Sequence, residues 1–125
     1  MIALVTGASS GIGKDMAKYL AKLGYDLIIT ARNKAALEDL KEALEKDFFI
    51  KVDVMPRDLS KQEDCISLYE EVKQKYGNID ILINNAGFGL CGEFINTDLN
   101  VEMSMINTNI KAVHILTKLF LKGMY

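Results

Sequence analysis

Cysteine, histidine and proline are scarce in these 125 residues: two, one and one respectively. Cys65 and Cys91 lie far apart and form no CxxC pair, and a lone histidine, His114, completes no zinc set. Neither a disulfide framework nor a metal centre is therefore expected. Both thiols read as free, which points to a reducing, cytoplasmic compartment. Long apolar runs are missing too. Met1 is followed directly by Ile-Ala-Leu-Val without a basic stretch, and nothing approaches the ~18 apolar residues that span a bilayer. Neither a secretory leader nor a membrane span is expected. An excess of one charge is also lacking. The net charge of -2 is spread along the chain, which argues against nucleic acid or an anionic membrane as the main partner. The one proline, Pro56, cannot donate to a ladder and suits a strand end or sheet edge.

What is present is an apolar half, 50% of the residues, against 26% charged. Disorder is excluded, and residues 1–125 read as one domain that buries roughly two thirds of its unfolded surface. Short apolar runs alternate with longer helical patterns. Ile2 to Thr6 is a buried-strand run. Gly11 to Leu23 places Ile12, Met16, Ala17, Leu20 and Leu23 on one helical face, and Gly24 ends it. Asp26 to Ala31 is a second strand. Asn33 then caps a helix with Leu37, Leu40 and Leu44 inward. A third strand covers Ile50 to Pro56. Ser60 is expected to cap a charged helix with Ile66, Leu68 and Val72 inward, ending near Gly77. Asp80 to Ile83 is a fourth strand. A last helix from Asp98 onward carries an apolar stripe of Leu99, Met103, Ile106, Ile110, Val113 and Leu116. Strands alternating with helices specify an α/β fold, a Rossmann-type doubly wound parallel sheet with right-handed crossovers.

The strongest chemical signal is Thr6-Gly7-Ala8-Ser9-Ser10-Gly11-Ile12-Gly13, between the first strand and the first helix. Gly7 allows a sharp turn out of the strand. Gly11 lets the backbone approach a pyrophosphate, and Gly13 lets the helix pack on the sheet. The helix N-terminus presents unpaired N–H groups to the anion. The preceding strand and succeeding helix are the context that gives such a motif meaning.

The spacing Gly-x-x-x-Gly-x-Gly has one residue more than the commoner dinucleotide fingerprint, and the octet resembles the cofactor loop of the short-chain dehydrogenase/reductase family. The likeness extends to Asp58-Leu59, Asn84-Asn85-Ala86-Gly87 and Asn107-Thr108-Asn109, in the family's order and separations. It implies four strands in the order 3-2-1-4 with helices on both faces. It also implies hydride transfer between a nicotinamide cofactor and a small-molecule carbonyl or alcohol. Gly11, Ile12 and Gly13 belong to that cofactor loop, and Ser9 and Ser10 can add hydroxyl donors in the region of a 2′-phosphate. By the same resemblance Asp58 and Leu59 flank the adenine, with Asp58 accepting from its exocyclic amine. Asn85, Ala86 and Gly87 pass close to a cofactor ribose. Asn84 and Asn85 have a second reading, as amides tying neighbouring strand ends together.

Cofactor choice is argued from the end of the second strand. A carboxylate there bonds the ribose hydroxyls of NAD, but this chain has Ala31-Arg32. A guanidinium pairs with a 2′-phosphate through charge-assisted hydrogen bonds. NADP(H) is the favoured cofactor; the competing reading of Arg32 is a solvated loop arginine.

The family's proton-transfer machinery is a tyrosine with a lysine four residues later, a serine, and an asparagine of the fourth helix. Asn109 matches that asparagine, with Asn107 as the near alternative. The serine and the tyrosine–lysine pair should come after a fifth strand, which these 125 residues do not reach. Tyr69 and Lys73 have the right spacing but fall on the third helix, where such pairs are commonplace on solvated faces. Tyr125 has nothing after it to pair with. His114 reads as a packing or bundle-face residue and Cys91 as a free loop thiol. The expectation is thus the cofactor-binding half of an oxidoreductase. The alternatives are a non-catalytic NADP(H)-binding module and a purely structural fragment. An unpaired fourth strand and the apolar stripe of the last helix add an expectation of homo-oligomers.

Overall fold

The computed structural model describes residues 1–9, 11–87 and 94–124. Strand β1 (Ile2–Thr6) leads into α1 (Gly11–Lys22), followed by β2 (Asp26–Thr30), α2 (Lys34–Asp47), β3 (Val52–Val54), α3 (Gln62–Tyr76) and β4 (Ile81–Ile83). A short 3₁₀ turn (Phe94–Asn96) precedes α4 (Leu99–Ile106), which passes through a π-helical turn (Asn107–Lys111) into α5 (Ala112–Met124). The sheet order is β3-β2-β1-β4, and every strand pair is parallel. Ile2 faces Asp26 and Thr6 faces Thr30 across β1 and β2, so the strands end level at the side where the loops gather.

Alternation along the two central strands divides the core. Ala3, Val5, Leu27 and Ile29 point to one face and pack with Ala17 and Leu20 of α1 and the Leu37-Leu40-Leu44 row of α2. Leu4 and Ile28 point to the other, against Leu68 and Val72 of α3 and Leu116 and Phe120 of α5. Each fully buried valine, leucine, isoleucine or phenylalanine among them contributes roughly 1.5–3 kcal/mol. Asn33 caps α2 as the sequence requires, its Oδ1 accepting from the Ala36 amide at 3.0 Å, and Gly77 closes α3 at φ 76°.

Three helix faces differ from the periodicity reading. On α1, Ile12 and Leu23 are 72% and 56% exposed. The buried side is Gly13, Ala17, Leu20 and Ala21, because small residues let the helix approach the sheet more closely than the larger ones would. On α3, Cys65 is buried and Ile66 is exposed. Ser60 does not cap this helix. Lys61 occupies the N-cap position without a side-chain bond, since Asp58 has captured the Ser60 hydroxyl. In the last helical run the buried row is Thr108, Ala112, Leu116 and Phe120. The stripe from Leu99 through Met103 and Ile106 to Ile110 is exposed; of the predicted face Leu116 is the fully buried member. The π turn inserts an extra residue per turn and so rotates α5 away from the phase that a regular helix would give it.

Both sheet edges are open to side chains. On β3 the Val52 amide donates to Glu45 of α2 at 2.9 Å, and Asp53 accepts from the Tyr76 hydroxyl at 2.6 Å. Polar and charged groups of this kind blunt an edge. Among the described residues β4 pairs with β1 alone, and Ile81, Leu82 and Ile83 remain partly exposed. No helix of the described residues is long and apolar enough to cross a membrane.

Candidate functional site

Parallel strands leave their carboxyl ends facing one set of loops, and ligands bind in open α/β sheets where neighbouring crossovers part. Here β1 is that place: its chain goes to one face through α1, while β4 beside it continues to the other. The turn after β1 is built on Thr6 and Gly7. The Thr6 hydroxyl accepts from the amides of Asn85 at 2.8 Å and Ala86 at 2.9 Å, and donates to the Ile83 carbonyl at 3.3 Å. It thereby ties the ends of β1 and β4 together. Thr6 is legible in the sequence as a strand residue and the first of the octet, but no spacing announces this clasp.

The glycines have separable duties. Gly7 has φ +63°, and a Cβ there would lie 2.8 Å from the Asn85 carbonyl oxygen. A Cβ on Gly13 would collide with the Gly7 carbonyl and the Asn85 amide nitrogen. Gly11, at φ +59°, has only open space where its Cβ would be, so the backbone is bare toward any approaching group. The Asn85 side chain donates to the Gly7 carbonyl at 3.3 Å, and the Asn84 side chain donates to Thr117 of α5 at 3.1 Å. Asn85 thus joins the segments that follow β1 and β4, whereas Asn84 reaches a helix and not a strand end.

A cavity of about 580 Å³ opens at this end of the sheet, within the range of small-molecule sites. Among the expected residues, Gly7, Ser9, Arg32, Asp58, Leu59, Asn85, Ala86 and Gly87 line it. Gly11, Ile12 and Gly13 begin α1 beside it without lining it. Ser10 and Cys91, like Tyr125, lie outside the described residues. Asn33, Arg57 and Thr108 also line the cavity, and nothing in the sequence singles them out for it. Asn33 reads there solely as a helix cap.

The two arginines differ in their freedom. Arg57 is turned toward α3: Nη2 meets Glu71 at 2.6 Å, Nε meets Ser67 at 3.0 Å and Nη1 meets the Pro56 carbonyl at 2.9 Å. The hydrogen bond to Glu71, against the opposing effect of burial, holds that carboxyl below its ordinary range. The Arg32 guanidinium makes no ion pair with any described residue. Burial opposes the charge on Asp58, but donation by the Ser60 hydroxyl and amide, with the Arg32 and Lys61 cations, outweighs it and lowers its pKa. Arg32 thus faces the same cavity as a carboxylate without being bound to it.

Asn109 sits on the π turn, and a Cβ on Gly87 would lie 2.6 Å from its Oδ1. Asn107 instead borders a small recess with Leu59, Ser60 and Cys65. Asn109 is therefore the one beside the loop that lines the cavity. His114 is exposed and borders a separate apolar groove with Ile110, Val113 and Leu121. Tyr69 stacks edge-on against Phe120 with ring centroids 5.1 Å apart, and Lys73 donates to Asn78 at 3.2 Å, so that pair faces no cavity. Burial, first of all, pushes the Cys65 thiol up to about 11, which makes it a poor nucleophile.

The donor set fits a phosphorylated dinucleotide: bare backbone at Gly11, a close turn at Gly7 and, at Arg32, a guanidinium in no ion pair with any described residue. The family model described as short chain dehydrogenase matches residues 1–125. An uncharacterised oxidoreductase of Staphylococcus saprophyticus is 36% identical over 110 residues, 88% of this chain and 47% of that protein. The mouse protein named dehydrogenase/reductase SDR family member 7 is 37% identical over 131 residues, 99% of this chain and 38% of that protein. The chain spans less than half the length of these curated relatives. A metagenomic short-chain oxidoreductase in complex with NADP superposes with a TM-score of 0.93 at 30% identity, over 99% of this chain and 56% of that one. L-sorbose reductase from Gluconobacter frateurii, complexed with NADPH and L-sorbose, gives 0.92 at 28% identity, over 98% and 47%.

Proposed function

The chain belongs to the short chain dehydrogenase family, and from that membership we propose that it forms the NADP(H)-holding part of an oxidoreductase acting on a carbonyl/alcohol pair. The observation that carries the reading is Arg32, an unpaired cation at the end of β2 on the rim of a glycine-floored cavity. Bound there, the dinucleotide supplies or accepts the hydride. The protein's own residues bind and orient it. Gly11 and the start of α1 offer backbone N–H groups to the phosphates, with Ser9 on the lining of the same cavity. Arg32 receives the 2′-phosphate, where a carboxylate would repel it. Asp58 and Leu59 take the adenine, and Asn85, Ala86 and Gly87 form the wall along a ribose. Asn109, held against Gly87, supports the proton relay of the reaction. The substrate is a small-molecule carbonyl or alcohol.

The second reading is cofactor binding without turnover. It is favoured by the engagement of Tyr69 and Lys73 elsewhere, which leaves the described residues without a tyrosine–lysine pair at the cavity. Monitoring NADPH absorbance on addition of carbonyl compounds separates the two, since turnover restores the enzyme reading.

The primary test is a calorimetric titration with NADPH and NADH. NADPH is expected to bind more tightly, and Arg32→Ala to weaken NADPH by roughly tenfold to a hundredfold while leaving NADH nearly unchanged. Equal affinity for the two forms, or equal weakening of both by the substitution, removes Arg32 from phosphate recognition.

A further inference from the structure

Asp58 lines the cavity, and its two carboxylate oxygens are in different situations. Oδ1 accepts from the Ser60 amide at 3.1 Å and from the Ser60 hydroxyl at 2.6 Å. Oδ2 has no hydrogen-bond partner among the described residues. The backbone beneath is fixed as well. The Asp58 N–H donates to the Asp64 carboxylate of α3 at 2.7 Å, and its carbonyl accepts from the Lys61 amide at 3.1 Å. A carboxylate turns broadly about its last torsion. Two donors on one oxygen stop that rotation and give the other oxygen a single direction. The Ser60 hydroxyl does not cap α3, whose N-cap is Lys61 without a side-chain bond.

We propose that Ser60 is a positioning residue for recognition of the cofactor's base: by holding Oδ1 of Asp58 it leaves Oδ2 as one aimed acceptor, which selects a base with an exocyclic amine over one with a carbonyl at the same place. The proposal rests on the cofactor reading above. A site that accepts from an amine rejects the carbonyl analogue, because the aimed oxygen then faces another acceptor with no proton between them. An unaimed carboxylate turns aside and discriminates less.

The test compares NADPH with its hypoxanthine analogue, in which a carbonyl replaces the amine, by calorimetric Kd on the purified chain. The two ligands share every phosphate, so the ratio of their Kd values isolates the base. The wild type is expected to prefer the adenine form about tenfold or more. Ser60→Ala is expected to bring that preference to about threefold or less, and Ser60→Thr, which keeps the hydroxyl, to retain it. Asp58→Ala should abolish it. Circular dichroism of each variant confirms the fold. If Ser60→Ala weakens both ligands alike with the ratio intact, Ser60 is merely structural and the proposal is overturned. A wild type that binds both ligands equally overturns it too, while the cofactor reading stands. A wild type that binds neither ligand overturns both.

Discussion

At the scale of single residues the site depends on where a side chain is forbidden. Gly13 is the sharpest case, since its missing Cβ is the space occupied by the Gly7 carbonyl and the Asn85 amide. Its φ is not in the left-handed region, so the requirement is proximity and not conformational freedom. Gly13→Ala is expected to lower stability in urea unfolding by about 2 kcal/mol or more, because backbone must move to admit the methyl. It should also abolish NADPH binding. An unfolding midpoint unchanged from wild type contradicts the close packing. Gly11 contrasts with it: space for a side chain exists there, but the conformation, φ +59°, disfavours one. The glycine spacing is legible in sequence. Which glycine packs and which is bare is not, because that depends on β4 arriving next to β1.

Among the elements, the passage from β3 into α3 is the most heavily tied. Arg57 bonds forward to Ser67 and Glu71 on α3, and its own amide donates to the Ala31 carbonyl at the end of β2 at 3.1 Å. Arg57 thus clasps α3 to the end of the sheet just behind Asp58. The Arg57 hydrogen bond depresses the Glu71 pKa below the ordinary value of 4.5. A depressed carboxylate contributes stability that is fully present above its unfolded value and is lost as pH falls through the lower folded value. Stability is therefore expected to decline on acidification below pH 4.5. Glu71→Gln should reduce stability by about 1 kcal/mol at neutral pH, a figure discounted for partial exposure, and flatten the acid decline. Denaturant unfolding of both proteins across pH measures this, and parallel pH profiles would falsify the assignment. Asp58 shifts in the same direction and belongs to the same acid limb.

For the whole molecule, the unsolved surface is the side of β4 and the last helical run. The outer edge of β4 has no strand beside it among the described residues, and Leu99, Met103, Ile106 and Ile110 form an exposed row, with Ile110 62% exposed. An open strand edge and an exposed apolar row are each a template for association. The chain is expected to sediment as a dimer or larger species at micromolar concentration, and Ile110→Lys to shift it toward monomer. A monomer throughout the micromolar range in analytical ultracentrifugation contradicts this.

The sequence by itself determined the order of elements, the parallel sheet and the motifs that gather at its carboxyl end. These are local facts: glycines with no Cβ, Asn33 capping α2, and the short apolar run Ile2–Thr6 against the leucine row of α2. What only tertiary structure decided was facing. Ile12 and the Leu99–Ile110 stripe satisfy helical periodicity yet point outward. Hydrophobic spacing reports that a face exists, but small residues such as Gly13, Ala17, Thr108 and Ala112 decide which face can come close to the sheet. The π turn at Asn107–Lys111 then sets the phase of α5. Arg57, Thr6 and Ser60 acquired their parts in the same way. Hydrogen bonds across 77 to 80 positions, as Thr6 makes with Ile83 and Ala86, are fixed only when distant strand ends meet, and Ser60 is claimed by Asp58 before it can cap a helix.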